Sequence, residues 1–501
     1  MNKFRSLLIK INLPEIIYAA ILFTVLCNLS SCKQQEMTSP SHADAYVVIA
    51  KDDSAYFELD DHSPYIPIGL NLIHPNSADE GSAEKQMAEY ESWMKALSEN
   101  GGNYIRVWLS YPFWDIESVK AGQYEDAKLQ RIRELLALAR KYNLRVKLTL
   151  EHFRAISKEE SSQTWATKFI YHKLNGGPLD SVEQYVTDPA GQALFLDKVD
   201  FYKKNIGDDP LIFGWELWNE MNAMSIPRDS AFMAWNLKML GEVKQRFPKN
   251  LVMQSLGSFD TESVTELYKK MMLMHGNEVA QIHRYLDLGA ALEICHGPMD
   301  EIGADAVREL LSFHTGKPSI LAETGAVEPG HAGPFKYYAI DTVGTILHDA
   351  LFAPFFSGAA GAGMIWHWNQ YVAPNNLWHH FDRFAQVVKG LDPVEEHLRP
   401  FYFEVGQLKI YGLKGHKTFL LWCRDKNSTW ESELKNGITP QEIKNAVVRL
   451  DSIESGGKLI SLQAFDPWEN HWSEMVYDSV SIILPSFKRS LVVRGTINPY
   501  E

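Results

Sequence analysis

The sequence predicts an α/β fold, a (β/α)8 or TIM barrel followed by a small C-terminal β-sandwich. Eight apolar runs rich in β-branched residues alternate with amphipathic stretches over about three hundred residues, which is the pattern of a parallel sheet wrapped by helices. The last hundred or so residues contain only short strand-like runs separated by turn residues, which is typical of a β-sandwich. A doubly wound sheet fits less well, because the Gly-rich phosphate loop expected after its first strand is missing.

The elements follow in chain order, beginning with a strand pair over Ala45 to Leu59 that turns at Asp52-Asp53. Helices are predicted over Ala83 to Asn100, which Gly101-Gly102 ends, and over Glu125 to Tyr142. The predicted barrel strands are Tyr65 to Asn71, Asn103 to Leu109, Leu144 to Leu150, Leu211 to Trp218, Leu251 to Leu256, Val279 to Tyr285, Pro318 to Ala322 and Gly363 to Trp368. The predicted C-terminal strands are Lys417 to Cys423, Ala446 to Leu450, Lys458 to Ala464, Val480 to Pro485 and Ser490 to Arg494. These assignments give a barrel over residues 45–398 and a sandwich over residues 399–501.

The N-terminal segment has the features of an export signal. Three basic residues precede an apolar run, Ile16 to Leu26, and Leu29-Ser30-Ser31-Cys32 supplies the small residues of a cleavage site. That ending resembles the lipobox of bacterial lipoproteins, which implies a signal peptide over 1–31, lipid on Cys32 and a linker over 32–44. The resemblance predicts a lipid-anchored protein of the cell envelope, at the outer membrane and either periplasmic or surface-exposed. An ordinary secretory signal or an uncleaved anchor is the alternative.

Composition narrows the possible partners. The formal net charge of -14 and the pI near 5.7 argue against nucleic acid, an anionic membrane surface or a polyanionic substrate. Four cysteines provide neither a disulfide framework nor zinc-ligand spacing, so neither a metal nor another cofactor is expected. The oligomeric state is not determined by the sequence.

Two glutamates follow barrel strands at positions that favour glycoside chemistry. Glu220, in the stretch "GWELWNEMN", comes just after the fourth strand, and Glu323 ends the seventh. The C-terminal ends of barrel strands form one active face, and the fourth and seventh strands lie on opposite sides of it. Two carboxylates facing each other across a cleft cleave a glycosidic bond with retained configuration when their oxygens are about 5 to 5.5 Å apart.

These residues resemble the pattern of glycoside hydrolase clan A, closest to family 5. In that family Asn-Glu closes strand four and supplies the acid/base, and a second Glu closes strand seven as the nucleophile. The matching residues here are Asn219-Glu220 and Glu323. The family also has an Arg on strand two, a His on strand three, His and Tyr on strand six and a Trp on strand eight, matched by Arg106, His152, His283, Tyr285 and Trp366. The resemblance implies a retaining enzyme that cleaves β-linked glycans or oligosaccharides by double displacement.

General chemistry suggests a role for each matched residue. Arg106 is expected to keep Glu323 ionised by donating to it. Glu220 has to hold a proton, and burial beside Trp218 together with repulsion from Glu323 is expected to raise its pKa. Asn219 is expected to bind the 2-hydroxyl of the sugar. Tyr285 is expected to donate to Glu323, and Trp366 is expected to stack on the sugar. His152 and His283 are expected to bind sugar hydroxyls or to orient the carboxylates.

Several alternatives stay open at this point. A non-catalytic surface glycan-binding lipoprotein would be expected to lack Glu220 or Glu323, and both are present. A transglycosylase on the same barrel would use the same residues. The sequence leaves open the glycan, its linkage and endo or exo action. Glu151 and Glu216 are interpreted as solvated or helix-capping residues, and Trp108 as a core residue.

Overall fold

The computed structural model describes residues 44–76, 82–158, 166–453, 457–475, 477 and 481–499. Residues 45–501 form one compact unit. The predicted signal peptide, Cys32 and all but the last residue of the linker lie outside the described residues, so lipid anchoring stays a prediction. Within the described ranges, every helix is too short or too polar to cross a membrane.

A ring of eight parallel segments forms the barrel. Five strands pair in the order β10 (Leu251–Met253), β9 (Ile212–Trp218), β6 (Arg145–Glu151), β5 (Tyr104–Trp108) and β4 (Gly69–Asn71). The strands β11 (Ala280–His283) and β12 (Ser319–Glu323) pair with each other. Bridges from Ile365 to Leu70 and to Thr324 put the chain at Ile365 in the eighth place. A backbone hydrogen bond of 3.0 Å from Glu278 to Val252 connects β11 to β10. The ring is therefore closed, and the barrel prediction is confirmed, except that the eighth predicted strand is an isolated bridge.

The strands of the barrel region are short and largely buried. They are β1 (Val47–Ile49), β2 (Phe57–Leu59), β3 (Pro64–Tyr65), β4 (Gly69–Asn71), β5 (Tyr104–Trp108), β6 (Arg145–Glu151), β7 (Ala155–Ile156), β8 (Thr167–Lys168), β9 (Ile212–Trp218), β10 (Leu251–Met253), β11 (Ala280–His283) and β12 (Ser319–Glu323). The first three form a separate antiparallel sheet that contains the predicted N-terminal strand pair.

Helices surround the barrel. They are α1 (Ala83–Glu99), α2 (Asp126–Lys141), α3 (Val182–Thr187), α4 (Pro189–Asn205), α5 (Ser230–Arg246), α6 (Thr265–Leu273), α7 (Met299–Ser312), α8 (Thr345–Phe356), α9 (His379–Val388) and α10 (Pro393–Glu396). In α1 the Ser82 side chain accepts from the backbone N–H of Lys85, which caps the first turn. Met87, Tyr90 and Met94 recur at helical spacing and are buried. Both helices predicted from periodicity are present within a residue of their predicted ends.

The C-terminal residues form two β layers of unequal size. Six antiparallel strands pair in the order β13-β14-β15-β20-β17-β18, and β16 pairs with β19. Their bounds are β13 (Arg399–Val405), β14 (Leu408–Lys414), β15 (Thr418–Asp425), β16 (Val447–Arg449), β17 (Gly457–Asp466), β18 (His471–Glu474), β19 (Ser481–Ile483) and β20 (Ser490–Pro499). Leu421 of the large sheet and Val448 and Ile482 of the small one share one apolar core. The sandwich therefore consists of one six-stranded and one two-stranded sheet. Its first hairpin, β13 and β14, was not predicted from the sequence.

Charged side chains join the large sheet to the barrel helices. The Arg424 guanidinium donates to both carboxylate oxygens of Asp349 on α8, at 2.8 and 3.0 Å. Asp300 on α7 accepts from the Tyr411 hydroxyl at 2.8 Å and pairs with Lys409. All five side chains are nearly inaccessible to solvent. The barrel and the large sheet therefore share a buried ionic network, which we call the sheet cluster.

Candidate active site

A cleft of about 690 Å³ opens at the C-terminal ends of the barrel strands. Its lining includes four of the predicted site residues, Asn219, Glu220, Tyr285 and Glu323, and the predicted platform Trp366. This is the face that barrel enzymes use.

Glu220 follows β9 in a strained backbone conformation. Its φ is +50°, a left-handed value that residues other than glycine seldom adopt. Its backbone N–H donates to the Ser255 hydroxyl at 3.3 Å. One carboxylate oxygen lies 3.0 Å from Nδ1 of His283, and the other accepts from Arg154 at 2.7 Å. The left-handed turn at Glu220 therefore places its carboxylate in the cleft, between the nitrogens of His283 and Arg154.

The pKa of Glu220 is shifted opposite to the predicted direction. Burial raises the pKa, but the hydrogen bond and charge of His283 and the charge of Arg154 outweigh burial and lower the pKa to about 2. Trp218, expected to provide the apolar contact, is itself fully buried, and its indole donates to the backbone of Phe153. The prediction of a raised pKa in the free site is therefore wrong, because it did not include the hydrogen bond and charge of His283 or the charge of Arg154.

Glu323 ends β12 and lies opposite Glu220. Arg106 donates to one of its carboxylate oxygens, and the Tyr285 hydroxyl donates to the other at 2.8 Å. Nδ1 of His283 lies 3.4 Å from that second oxygen. A carboxylate oxygen of Glu220 and one of Glu323 lie within 4.8 Å of each other. The two carboxylates therefore face each other across His283, with oxygens no more than 4.8 Å apart, well below the roughly 6.5 to 9.5 Å of inverting glycosidases.

Arg106 is the centre of a second buried ionic network, which we call the barrel cluster. Besides Glu323, its guanidinium donates to Asn219 at 2.8 Å and to Glu216 at 2.8 Å. Glu216 also pairs with Lys147 at 3.2 Å, and all of these side chains are buried. Burial raises the pKa of Glu216, but Arg106 and Lys147 outweigh it and leave that pKa lowered. Arg106 therefore fixes both the nucleophile candidate and its neighbour Asn219.

Two glutamates expected to be solvated are instead buried ion-pair partners. Glu216 belongs to the barrel cluster, and Glu151 accepts from Lys198 at 2.6 Å with no exposed surface. Both end up inside because charged residues on barrel strands can pair with cations from neighbouring strands and helices. The prediction for both was wrong.

His152 and Trp366 both contact the ring of Trp108, and of these two only Trp366 lines the cleft. His152 contacts the Ser110 hydroxyl through Nδ1 at 2.6 Å, and its ring stacks on Trp108 at 5.0 Å between centroids. Trp366 is half-buried and lies 5.0 Å from the same Trp108 ring. Trp108 is buried, at 3% exposed, as its assignment to the core predicted, and it also lines the cleft. It follows Arg106 by two positions, and strand alternation could have indicated that both face the same way.

Other residues of the cleft were missed by sequence reasoning. They are His74, Tyr111, Arg154, Arg228, Ser258 and His331. Arg154 follows His152 by two positions in "EHFRA", so its place after the third barrel strand was a usable signal. His74 stacks on Tyr111 at 3.6 Å from a different loop, and nothing local in the sequence relates the two.

Glu220, His283 and Glu323 could provide three ligand atoms to a cation, the one such group among the described residues. Their charges are already matched, since Arg106 pairs with Glu323 and Arg154 with Glu220. A metal ion entering there would meet two guanidinium groups, so the donor set fits acid/base chemistry better than metal binding.

Comparisons with known proteins agree with a glycoside hydrolase. No family model matches the chain. Mannan endo-1,4-beta-mannosidase 7 of Arabidopsis thaliana is 22% identical over 321 residues, covering 57% of this chain and 70% of that protein. Putative mannan endo-1,4-beta-mannosidase 9 of Oryza sativa subsp. japonica is 29% identical over 181 residues, covering 33% of this chain and 43% of that protein. The sequence similarity thus supports a glycoside hydrolase that acts on β-linked glycans.

Two solved structures show partial similarity to the chain. An exo-beta-1,4-mannosidase from Opitutaceae bacterium strain TAV5 has a TM-score of 0.48 at 16% identity, over 68% of this chain and 62% of that one. An endo-beta-1,4-mannanase from Thermotoga petrophila has a TM-score of 0.47 at 13% identity, over 85% of this chain and 97% of that one.

Proposed function

We propose that the protein is a retaining glycoside hydrolase that cleaves β-linked, mannose-containing glycans or oligosaccharides, with Glu323 as nucleophile and Glu220 as acid/base. The observation that carries the proposal is the pair of carboxylates within 4.8 Å across the cleft, close to the roughly 5 to 5.5 Å of retaining enzymes. The mannose preference rests on the names of the similar proteins.

In the first step Glu323 attacks the anomeric carbon while Glu220 gives its proton to the leaving oxygen. Arg106 and Tyr285 both donate to Glu323, which fixes the direction of its carboxylate. Asn219, fixed by Arg106, is in position to bind the 2-hydroxyl, a contact that strengthens as positive charge develops on the ring. Trp366 and Trp108 offer aromatic surface for the sugar.

Glu220 must be protonated to act as the acid, but its lowered pKa favours the carboxylate in the substrate-free site. Arg154 lowers the pKa of Glu220, and its side chain is about one-third exposed. A sugar entering on the leaving-group side displaces Arg154 from the carboxylate in our mechanism. His283 still lowers the pKa of Glu220 and burial still raises it, so loss of the Arg154 charge moves that pKa upward, toward the protonated acid. Substrate binding thereby arms the acid, and loss of charge on the glycosylated Glu323 later lets Glu220 act as base.

Azide rescue tests the two assignments. Glu323→Ala and Glu220→Ala should each remove nearly all turnover of an activated aryl β-mannoside while the circular dichroism spectrum stays native. With Glu323→Ala, azide replaces the nucleophile and gives the inverted glycosyl azide; with Glu220→Ala, azide attacks the intermediate and gives the retained one. The same anomer from both variants would contradict the assignment.

A substrate panel tests the glycan class. Aryl β-mannoside, β-glucoside and β-galactoside, together with β-1,4-mannan and β-1,4-glucan, should show highest kcat/KM on the mannose-containing members. Chromatography of products formed with excess acceptor sugar separates hydrolysis from transglycosylation. Preference for glucan would remove the mannose part of the proposal and leave the retaining mechanism intact.

We also propose that Cys32 carries lipid and anchors the protein in the cell envelope. The support is the sequence Leu29-Ser30-Ser31-Cys32 after the apolar run. Cys32→Ser should leave the precursor uncleaved or release the protein to the soluble fraction. Unchanged processing in that variant, with no acyl mass on the parent protein, would contradict this.

A further inference from the structure

Three side chains near the glycoside site form an acid–histidine–serine chain. Nδ1 of His331 lies 2.8 Å from a carboxylate oxygen of Asp287, and Nε2 of His331 lies 2.9 Å from the hydroxyl of Ser258. Ser258, Asp287 and His331 follow three successive barrel strands, β10, β11 and β12. Because the Asp287 carboxylate accepts a hydrogen bond from Nδ1–H, Nε2 carries no proton and is free to accept the Ser258 proton. This is the geometry by which serine hydrolases activate a nucleophile.

The loop that carries His331 is folded around the Asp287 carboxylate. Asp287 is 1% exposed and accepts backbone N–H groups from Gly289 at 2.7 Å, Gly330 at 2.9 Å and His331 at 3.2 Å. His331 is held at a φ of +59°, a left-handed conformation that costs free energy. A solvated surface histidine needs no such support. The carboxylate therefore fixes the tautomer and aim of the imidazole, as a triad acid does.

Ser258 has access to substrate and to a donor for an oxyanion. Ser258 and His331 both line the cleft. Across the part of the chain that the structure describes, the backbone N–H of Ser258 donates to no acceptor. Serine hydrolases use the N–H of the nucleophile itself as one oxyanion donor. The site thus contains a nucleophile, a base, an orienting acid and one candidate oxyanion donor.

The triad adjoins the glycoside centre. A methyl group at Gly257, next to Ser258, would lie 3.6 Å from the carboxyl carbon of Glu220. The His331 ring also packs edge-on against Tyr285, which donates to Glu323. A sugar held by the two glutamates therefore presents its neighbouring hydroxyls, and any acyl group on them, toward Ser258.

We propose that Ser258, His331 and Asp287 form a second catalytic site that hydrolyses short O-acyl esters on the glycan bound in this cleft. The Ser258 oxygen bonds to the acyl carbon as its proton passes to His331, and the sugar hydroxyl leaves with that proton. Water then attacks the acyl-enzyme, giving up a proton to His331, and releases the carboxylic acid and free Ser258. Only water is consumed. That the acyl group sits on a glycan rests on the proposed function; the reactivity of Ser258 does not.

A fluorophosphonate probe tests Ser258 without any glycan. It should label the full-length protein with one equivalent, and peptide mass mapping should put the label on Ser258. Ser258→Ala should abolish labelling, whereas Ser263→Ala, an exposed serine five residues away, should not change it. His331→Asn keeps a residue that tolerates a left-handed φ and should slow labelling at least about 100-fold.

Release of acetate from O-acetylated manno-oligosaccharide, followed by proton NMR, tests the activity itself. Ser258→Ala and His331→Asn should each reduce the rate at least about 100-fold relative to the parent and to Ser263→Ala. Absence of probe on Ser258 together with equal acetate release in all variants would overturn the proposal. A triad that labels in a protein inactive on every β-glycoside would overturn the proposed function and not this one.

Discussion

The barrel cluster around Arg106 and the sheet cluster around Arg424 are built from the same kinds of side chain. Each contains a buried arginine that holds buried carboxylates, and in both the arginine is at most 1% exposed. The barrel cluster reaches the cleft through Glu323, whereas Asp349 and Asp300 of the sheet cluster do not line it. Buried charge by itself therefore does not mark an active site, and contact with the cleft is the feature that distinguishes the barrel cluster.

The charge balance of the two clusters also differs. In the barrel cluster two cations, Arg106 and Lys147, surround Glu216 and lower its pKa against the effect of burial. In the sheet cluster burial raises the pKa of Asp349 to about 6, and nearby Asp300 adds to the rise while Arg424 opposes it. The cations of the barrel cluster therefore favour the ionised form of Glu216, whereas burial in the sheet cluster favours the protonated form of Asp349.

The largest effect should come from Arg106→Met. Loss of the guanidinium leaves Glu216 and Glu323 without their main cation and frees Asn219. We expect kcat/KM to fall about 10³-fold or more, since electrostatic positioning of this kind contributes about 10² to 10³ for a single donor. Steady-state kinetics on an aryl β-glycoside, with circular dichroism to verify folding, makes the measurement. Arg106→Lys should recover only part of the rate, because an ammonium lacks the planar fork.

Arg424→Met should lower the stability of the protein strongly and change turnover per folded molecule little, in contrast to Arg106→Met. Removing one partner of a buried ion pair costs about 3 to 5 kcal/mol. Urea unfolding measures the loss. The matched control is Arg449→Met, because Arg449 pairs with Asp451 at the surface and is 62% exposed, so its loss should leave the free energy of unfolding nearly unchanged. Equal losses from the two variants would remove the distinction between buried and exposed pairs.

The smallest and most specific effect should come from Arg154→Met. Arg154 lowers the pKa of Glu220, so its removal raises that pKa. A raised pKa keeps the acid protonated to higher pH, and the basic limb of kcat/KM should move upward. Arg228→Met is the matched control, because Arg228 lines the cleft but donates to the backbone oxygen of Asn222. A basic limb that stays in place in Arg154→Met would mean that Arg154 only binds substrate.

Sequence reasoning predicted most of the barrel because its signals are local. Alternating apolar runs located seven of the eight segments as strands, and the eighth, around Ile365, is held by two bridges alone. The hairpin of β13 and β14 was missed although β14 is buried along nearly its whole length. Half of the hairpin is an exposed edge: β13 alternates between exposed and half-buried residues, so its pattern lacks the continuous apolar character of a core strand.

The sequence by itself determined the order of the elements, the two glutamates at strand ends and the residue types around them, since strand and helix periodicity and the ends of strands can be read from neighbouring residues. Tertiary structure alone decided which charges meet. His283 and Arg154 lie 63 and 66 positions from Glu220, and their contacts with its carboxylate together reverse the expected pKa shift of the acid. The Ser258, Asp287 and His331 chain likewise joins three loops that share no local pattern. A pKa and a hydrogen-bond relay depend on distances of a few ångströms between remote residues, which only the closed barrel fixes.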